Sequence, residues 1–255
     1  MGKASRRKRE RRETRSGIHE QQADIEILRA FAESKSPQRP TIAAVQSGVI
    51  YRFLDMPEYA DLFVQGKIRI STFNLCRKCE DPQRGDKDEG SLTYHSGFIS
   101  GDADDPAVRT VAARTGILLG PGVNITMSNN TTYIRIPDAL VLCATERFSP
   151  EHMREGFGKH CVEIFDPQGL FQSLTNALRM RFSVAQAAFG RVAYIGRKLH
   201  GFDPMVAPVE FRKPVDGYAE QQEVRMVWHV DPRHFPLVAE FVDVPDAAKY
   251  CRRIA

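Results

Sequence analysis

The chain has 255 residues, of which 42% are hydrophobic and 27% are charged, which is typical of a globular protein with one large domain, or with one domain and an extension. No apolar segment approaches the roughly 20 residues of a membrane-crossing helix, and the basic start of the chain lacks the apolar part of a signal peptide. We therefore expect no membrane partner and a cytoplasmic protein, in which the five cysteines, an odd number, are reduced thiols.

The basic character of the chain is concentrated at its start. The formal net charge is +4, but residues 1–16 alone hold eight Lys or Arg residues against two glutamates. A segment of this composition cannot bury apolar surface, so a disordered or solvated tail is predicted. The tail either has no specific partner or binds nucleic acid or ribosomes, since neutralising phosphates gives attraction without reading a base sequence.

An amphipathic helix is predicted after the tail, over residues 17–35, because Ile18, Ile25, Leu28 and Phe31 recur at roughly helical intervals. The prolines of residues 36–40 end it and favour an extended linker. We assign residues 17–45 to the helix and linker, and residues 46–255 to the main domain.

The main domain begins with a predicted strand at 48–55, a helix at 57–66 that starts at proline and ends at glycine, and a strand at 67–72. Residues 74–110 are polar and rich in glycine, which indicates a long functional loop and not part of the core. Residues 109–120 are predicted to be helical.

Strands dominate the rest of the chain. Residues 121–136 are predicted to form a hairpin that turns at Ser128–Asn130. Further strands are predicted at 139–148, 160–166, 190–196, 218–230 and 237–244. Short helices are predicted at 150–158 and 167–181. With short strands dominating and no repeated βαβ unit, the fold class is α+β.

Several common chemistries lack their motifs. The sequence contains no P-loop, no GxGxxG after a strand, no GxSxG and no HExxH. Cys76 and Cys79 form a CxxC, but tetrahedral zinc needs two further ligands and no second pair follows. We therefore expect free thiols and no metal site.

Three short features remain as candidates for chemistry. Arg52 lies inside an apolar predicted strand, although it could simply point to water from an edge strand. Ser71 and Thr72 close the strand at 67–72. Gln221, Gln222 and Glu223 enter a strand in which Val224, Met226 and Trp228 share one face while Arg225 and Val227 share the other.

In this order and placement, the three features resemble the ADP-ribosyltransferase superfamily of the arginine–serine–glutamate type. The pattern there is an arginine on an early strand, a Ser-Thr-Ser end of a second strand and a Q/E-x-E turn that opens a late strand. Here Phe73 stands where the second serine is usual. Over roughly residues 48–230, the stretches YRFLDMPEYADLFVQGKIRIST, RKCEDPQRGDKDEG and YAEQQEVRMVW are similar to bacterial toxin and phage-defence proteins grouped with these transferases.

The resemblance implies split antiparallel β-sheets with flanking helices, NAD as the substrate, and an antitoxin as a possible partner. Glu223 would orient the ribose and stabilise the positive charge that develops as the nicotinamide bond breaks. Arg52 would bind phosphates or ribose oxygens. Ser71 or Thr72 would hold Glu223 or the ribose, and Phe73 would either stack on a cofactor ring or pack in the core.

Two further assignments concern the acceptor and the diphosphate. Glu223 is preceded at the acceptor-selecting position by Gln221, which cannot take a proton, so the resemblance implies an acceptor other than arginine. Residues 77–90 alternate charges; they form either a solvated loop or a segment in which Arg77 or Arg84 contacts the diphosphate.

Two other functions stay open. A catalytically silent nucleic-acid-binding protein would use the basic tail, with Arg52 and Glu223 as a structural ion pair. A nuclease would use the acids of residues 80–89 with magnesium.

Overall fold

The computed structural model describes residues 42–44, 48–79, 81, 85–151 and 157–255. The tail, the helix and most of the linker predicted before residue 42 lie outside these ranges, as does most of the helix predicted at 150–158. Within the described ranges, no helix is both long enough and apolar enough to span a bilayer.

Short strands make up most of the regular structure, as the sequence predicts. The strands are β1 (Ile42–Ala44), β2 (Ile50–Leu54), β3 (Lys67–Thr72), β4 (Ser91–His95), β5 (Phe98–Asp102), β6 (Asn124–Ser128), β7 (Thr131–Arg135), β8 (Leu140–Thr145), β9 (His160–Ile164), β10 (Val184–Arg191), β11 (Ala193–Tyr194), β12 (Lys198–His200), β13 (Arg212–Lys213), β14 (Glu223–Val230), β15 (Glu240–Asp243) and β16 (Cys251–Arg253). The helices are α1 (Pro57–Val64), α2 (Phe73–Lys78), α3 (Pro106–Thr115) and α4 (Pro167–Arg179).

The central sheet has nine strands among the described residues. Its main path runs β1-β10-β14-β8-β2-β9-β16, and β3 joins it at β8 and carries β15 on its other edge. Every pair in this sheet is antiparallel except β1 with β10. Smaller sheets add two parallel pairs, β11 with β13 and β12 with β4. The fold is therefore α+β with mostly antiparallel sheets.

The central sheet forks at β8. One edge of β8 pairs with β14 along its whole length. The other edge is shared, because β3 pairs with its first two residues and β2 pairs with its last, Thr145. The two neighbours diverge between these points, and a cleft opens there. The fork is the feature of the fold that positions the candidate site.

The main core lies on the face of the sheet opposite the cleft, against α4. The helix α4 begins with a proline at its first position. It is capped by the Asp166 side chain, which accepts from the Gly169 backbone N–H at 2.9 Å. Trp228 is fully buried and packs against Phe171, with 5.7 Å between the ring centroids. Its indole N–H donates to the Thr175 hydroxyl at 2.9 Å. The predicted alternation in β14 is thus confirmed: Trp228 shares the core with Val224 and Met226.

The prediction of a loop over residues 74–110 is wrong. This segment contains α2, β4, β5 and the start of α3, and Leu92 and Tyr94 belong to a second core. Its polar composition concealed the strands because β5 alternates between exposed and half-buried side chains and leaves only one apolar face. The segment is part of the packed domain.

The predicted hairpin at 121–136 is also wrong, although its two strands exist. β6 pairs with β5 and β7 pairs with β4, so residues 91–102 run against residues 124–135 as one ribbon in constant register. Asn129 and Asn130 sit at a bend within the ribbon, where backbone bonds to Gly97 and Ser96 bridge the two halves. Asn129 has φ of 50°, a conformation that asparagine tolerates, and this explains why the sequence looks like a turn.

Two strand boundaries also differ from the prediction. Of the strand predicted at 190–196, Gly190 and Arg191 are the end of β10, which begins at Val184, and Ala193–Tyr194 form the short strand β11. In the strand predicted at 218–230, the residues before Glu223 form a short 3-10 turn. The alanines of β10 do not alternate with polar residues, so they give no period-two signal.

Candidate active site

The fork in the sheet opens into a cleft of about 540 Å³, a volume typical of small-molecule sites. Its floor is the face of β8 and β14 that lies away from the main core. Directly opposed residues share a face of a sheet, so Glu223 lies beside Thr145 and Arg225 beside Cys143. All four residues line the cleft.

Glu223 is the first residue of β14, and the turn before it fixes its direction. Gln222 adopts a left-handed conformation, with φ of 41° and ψ of 49°. The Glu223 backbone N–H donates to the Tyr194 hydroxyl at 2.7 Å, and Thr145 Oγ1 donates to the Gln221 carbonyl at 2.7 Å. These bonds anchor the turn that directs the Glu223 carboxylate.

Arg225 holds the Glu223 carboxylate through a two-point contact. Its Nε donates to Oε1 at 2.7 Å and its Nη2 donates to Oε2 at 3.2 Å. The same guanidinium grips Glu89, with Nη1 to Oε1 and Nη2 to Oε2 both at 2.9 Å. Nη1 also donates to the Glu210 carbonyl at 2.5 Å. Arg225 is only 1% exposed, and all five of its N–H groups are used.

Lys213 completes a buried network of four ions. Its Nζ lies 2.7 Å from Glu223 Oε2 and 3.9 Å from Glu89 Oε2, and it also donates to Gln221 Oε1 at 3.2 Å. The Tyr218 ring covers the ammonium at 4.8 Å. Two carboxylates and two cations balance each other, so burial leaves no net charge in this network.

These contacts fix the ionisation of the network. Burial alone would raise the pKa of Glu223, but the charges of Arg225 and Lys213 and their hydrogen bonds hold that pKa well below its usual range. Burial would lower the pKa of Lys213, yet Glu223 keeps it above its ordinary value. The pKa of Arg225 is likewise raised by the two carboxylates against the effect of burial. Glu223 is therefore ionised throughout the physiological pH range.

Arg52 lines the same cleft as Glu223. It shares a face of β2 with Ile50 and Leu54, and its guanidinium reaches the fork, where Nη1 donates to the Cys143 carbonyl of β8. Its Nε is buried and has no hydrogen-bond partner in the described chain. The ion pair of Arg52 with Glu223 that a purely structural interpretation requires is not formed, because Glu223 pairs with Arg225 and Lys213 instead.

Of the second predicted feature, one residue faces the cleft with a hydroxyl that makes no hydrogen bond to the described residues. Ser71 lines the cleft. Thr72 is fully buried and caps α2, its hydroxyl accepting from the Leu75 backbone N–H at 3.2 Å. Phe73 is buried as well and packs under two guanidiniums. The guanidinium carbons of Arg225 and Arg77 lie 5.7 Å and 5.9 Å from the centroid of its ring. Its role in this structure is that of a core aromatic at the base of the cleft.

The two arginines predicted to contact a diphosphate have different outcomes. Arg77 Nε donates to the Glu89 carbonyl at 2.8 Å, Nη1 to Asn74 at 2.8 Å and Nη2 to the Ile136 carbonyl at 3.1 Å. This guanidinium ties segments together and does not line the cleft. Arg84 lies outside the described residues.

Gln221 is buried at the edge of the cleft and contacts Lys213, so its side chain is oriented by the ion network. Glu220 points away and forms an exposed ion pair with Arg147. The acceptor-selecting position is thus filled by the amide of Gln221, and Glu220 does not take its place in the cleft.

The charged segment at 77–90 is only partly solvated where the structure describes it: Lys78, Lys87 and Asp88 are exposed, whereas Asp86 and Glu89 are buried. Asp86 forms a two-point ion pair with Arg197, one bond of which is 3.0 Å, and Glu89 is 2% exposed beneath Arg225. A magnesium-dependent nuclease would need these two acids free, but Arg197 holds Asp86 and Arg225 of β14 holds Glu89. The described residues contain no group of three or more His, Cys, Asp or Glu side chains able to hold a metal.

The sequence did not identify Glu89, Lys213 or Arg225 as site residues. Arg225 carried one usable signal, a charged residue between the apolar residues Val224 and Met226 of a strand. Cys76 and Cys143 also line the cleft as free thiols; burial raises the pKa of Cys76 to about 11 and that of Cys143 well above its ordinary value. Neither thiol is activated as a nucleophile.

Comparison of the chain with protein-family models, with curated proteins and with solved structures found no match. The site is therefore interpreted from its own geometry.

Proposed function

We propose that the chain is an NAD-dependent mono-ADP-ribosyltransferase, with an ADP-ribosyltransferase-like fold, that acts as a bacterial toxin or anti-phage effector on nucleic acid or on a protein of its machinery. One observation carries the proposal. Arg52, Ser71 and the pair Gln221 and Glu223 come from three separate parts of the chain and line a single cleft. The forked antiparallel sheet supports the same proposal, since the split is what lets Arg52 and Glu223 face a common space.

The Glu223 carboxylate has one acceptor position left for a ligand. Its two oxygens offer about four positions, and three are filled, by Arg225 Nε, Arg225 Nη2 and Lys213 Nζ. The remaining position, on Oε1, suits a ribose hydroxyl of NAD. Because two cations offset its charge, Glu223 contributes mainly by orienting that hydroxyl, and only the residual charge acts on the developing oxocarbenium ion.

In the proposed reaction the bond between nicotinamide and ribose breaks, nicotinamide leaves with the bonding electrons, and the acceptor forms a new bond to the ribose and loses its proton. Pre-placement of Glu223 at a strand end matters because a group that needs no rearrangement favours the transition state over the bound substrate. Arg52, with two N–H-bearing nitrogens that have no partner in the described chain, is suited to hold a phosphate. Gln221 disfavours arginine as the acceptor because an amide cannot accept its proton.

The test is transfer of label from NAD to cell extract by the full chain and by Glu223→Gln. We expect transfer to fall by at least about 100-fold, the loss typical of removing one preorganised electrostatic group. Glu220→Gln is the matched control, because Glu220 is exposed and outside the cleft, and it should transfer label normally. Circular dichroism checks that both variants are folded. Equal transfer by Glu223→Gln and the unaltered chain would refute the assignment.

A further inference from the structure

The cleft has more positive than negative charge once its internal pairs are matched. Glu89 and Glu223 are held by Arg225 and Lys213, and Asp55, the third carboxylate of the lining, is also engaged. Arg52, Lys67 and Arg69 line the cleft without an ion pair in the described chain. A cleft with this balance attracts an anion.

Arg69 faces the cleft because of strand alternation. In β3, Ile68 and Ile70 are fully buried, whereas Lys67, Arg69 and Ser71 lie on the opposite face. Arg69 is exposed and has no hydrogen bond or ion pair to the described residues, unlike Arg77, whose guanidinium makes three hydrogen bonds. Arg69 is therefore available to a ligand.

Arg52 and Arg69 line the same cleft, where their charges repel each other. Burial is the main cause that lowers the pKa of Arg52; the charge of Glu223 opposes this lowering, and the positive charge of Arg69 adds a smaller contribution to it. An oxyanion bound between the two guanidiniums would relieve their repulsion. Guanidiniums bind phosphate through parallel hydrogen bonds.

An aromatic ring stands beside this pair. Phe241 of β15 is the direct cross-strand partner of Arg69, so the two side chains share a face of the sheet. Phe241 lines the cleft and is 48% exposed, so its ring is accessible to a ligand. An exposed ring next to a phosphate-binding arginine is suited to stacking on a nucleobase.

We propose that Arg52 and Arg69 form a phosphate-binding subsite of the cleft, and that Phe241 stacks on the base of the same nucleotide. The ligand is a nucleotide or a larger molecule that contains one. Its source is either a free dinucleotide, which rests on the proposed function, or a strand of nucleic acid.

Binding of pyrophosphate and of ADP to the full chain, measured by isothermal titration calorimetry, tests the subsite. We expect Arg69→Ala to weaken both ligands by roughly 10- to 100-fold, the loss of a charge-assisted hydrogen bond. Phe241→Ala should weaken ADP by about tenfold and leave pyrophosphate unchanged, because only ADP carries a base. The matched control is Arg179→Ala, an exposed arginine of α4 outside the cleft, which should bind both ligands normally.

The subsite is refuted if Arg69→Ala binds pyrophosphate as well as Arg179→Ala does. The stacking role fails if Phe241→Ala weakens both ligands equally. Competition then identifies the source: displacement of ADP by NAD assigns a dinucleotide, displacement by a short single-stranded oligonucleotide assigns nucleic acid, and displacement by neither overturns the nucleotide assignment. Because no bond is cleaved in these measurements, the subsite can stand if label transfer fails, and the reverse also holds.

Discussion

Arg225 is the central residue of the buried ion network at the floor of the cleft. It is the only residue of the ion network that contacts both carboxylates through a forked pair of hydrogen bonds, and it also satisfies the Glu210 carbonyl. A buried carboxylate that loses such a partner is left with an uncompensated charge. The orientation of Glu223 therefore depends on Arg225, although Arg225 has no free N–H group with which to bind a ligand.

We predict that Arg225→Lys destabilises the protein although the charge is kept. Lysine lacks the planar fork, so it cannot contact Glu89 and Glu223 at two points each. The expected loss is about 3 kcal/mol in the free energy of unfolding, measured with denaturant. Arg147→Lys is the control, since its ion pair with Glu220 is exposed, and it should change stability by less than about 1 kcal/mol. Similar values for both variants would contradict the prediction.

At the residue scale, pattern could identify some site residues and not others. Arg52 and Glu223, which both line the cleft, could be singled out because their strand positions resemble the pattern of a known family. Arg225 and Lys213 could not be predicted, since a charged residue in a strand is as compatible with a side chain that faces water as with one that faces a buried site. Only the burial of both beside Glu89, which is distant in sequence from β14, distinguishes these cases, and burial is a property of the fold.

At the scale of elements, the turn between α1 and β3 positions the strand that carries Arg69 and Ser71. Gly66 lies in this turn with φ of 89°, and a Cβ added to it would lie 2.1 Å from the Val244 carbonyl oxygen. Backbone cannot yield as a flexible side chain can. The turn thus fixes β3 against the chain segment that follows β15.

We predict that Gly66→Ala lowers the free energy of unfolding by at least about 3 kcal/mol, because a steric clash adds to the cost of the left-handed conformation. Gly217→Ala is the matched control: its φ is 80° but nothing lies within 4 Å of the added Cβ. Only the conformational cost of about 1 kcal/mol should appear there. Thermal or denaturant unfolding measures both, and equal losses would show that the close contact does not matter.

Elements with a clear period and clear ends were predicted well. β3 has alternating apolar residues, α1 begins at proline and ends before a glycine, and α4 has an aspartate cap, so local chemistry sufficed. Pairing was not local. The residues at 128–130 suit a hairpin turn, yet each adjoining strand finds its partner across α3, and no short-range signal records that choice.

At the scale of the whole molecule, the buried ions couple folding to pH. In the folded state the pKa of Glu223 lies far below its usual range, because Arg225 and Lys213 stabilise the carboxylate. In the unfolded chain Glu223 has its ordinary pKa of about 4.3. The folded pKa is the lower one, so the stabilisation is complete above about pH 5 and is lost as the pH falls toward the folded value.

We predict that Glu223→Gln removes this part of the acid sensitivity. Unfolding free energies measured from about pH 7 down to about pH 3 should fall less steeply for the variant than for the unaltered chain. The variant should also be less stable at neutral pH, because Arg225 and Lys213 lose a charged partner. Parallel curves for the two proteins would show that another carboxylate dominates the acid transition.

The α+β class could be predicted because short strands and few helices follow from composition and period alone. The cleft could not, because it arises where β2 and β3 share one edge of β8, and a fork is set by competition among non-adjacent strands.

Arg52 has a second task that follows from that fork. Its guanidinium supplies a donor to the Cys143 carbonyl, which the diverging strands leave without a neighbouring backbone N–H. A descendant of this chain that no longer needed the chemistry of the cleft would still lose stability on discarding the arginine. An arginine retained at this position among relatives would therefore be evidence for the architecture first, and for an active enzyme only when a glutamate with a free acceptor position accompanies it.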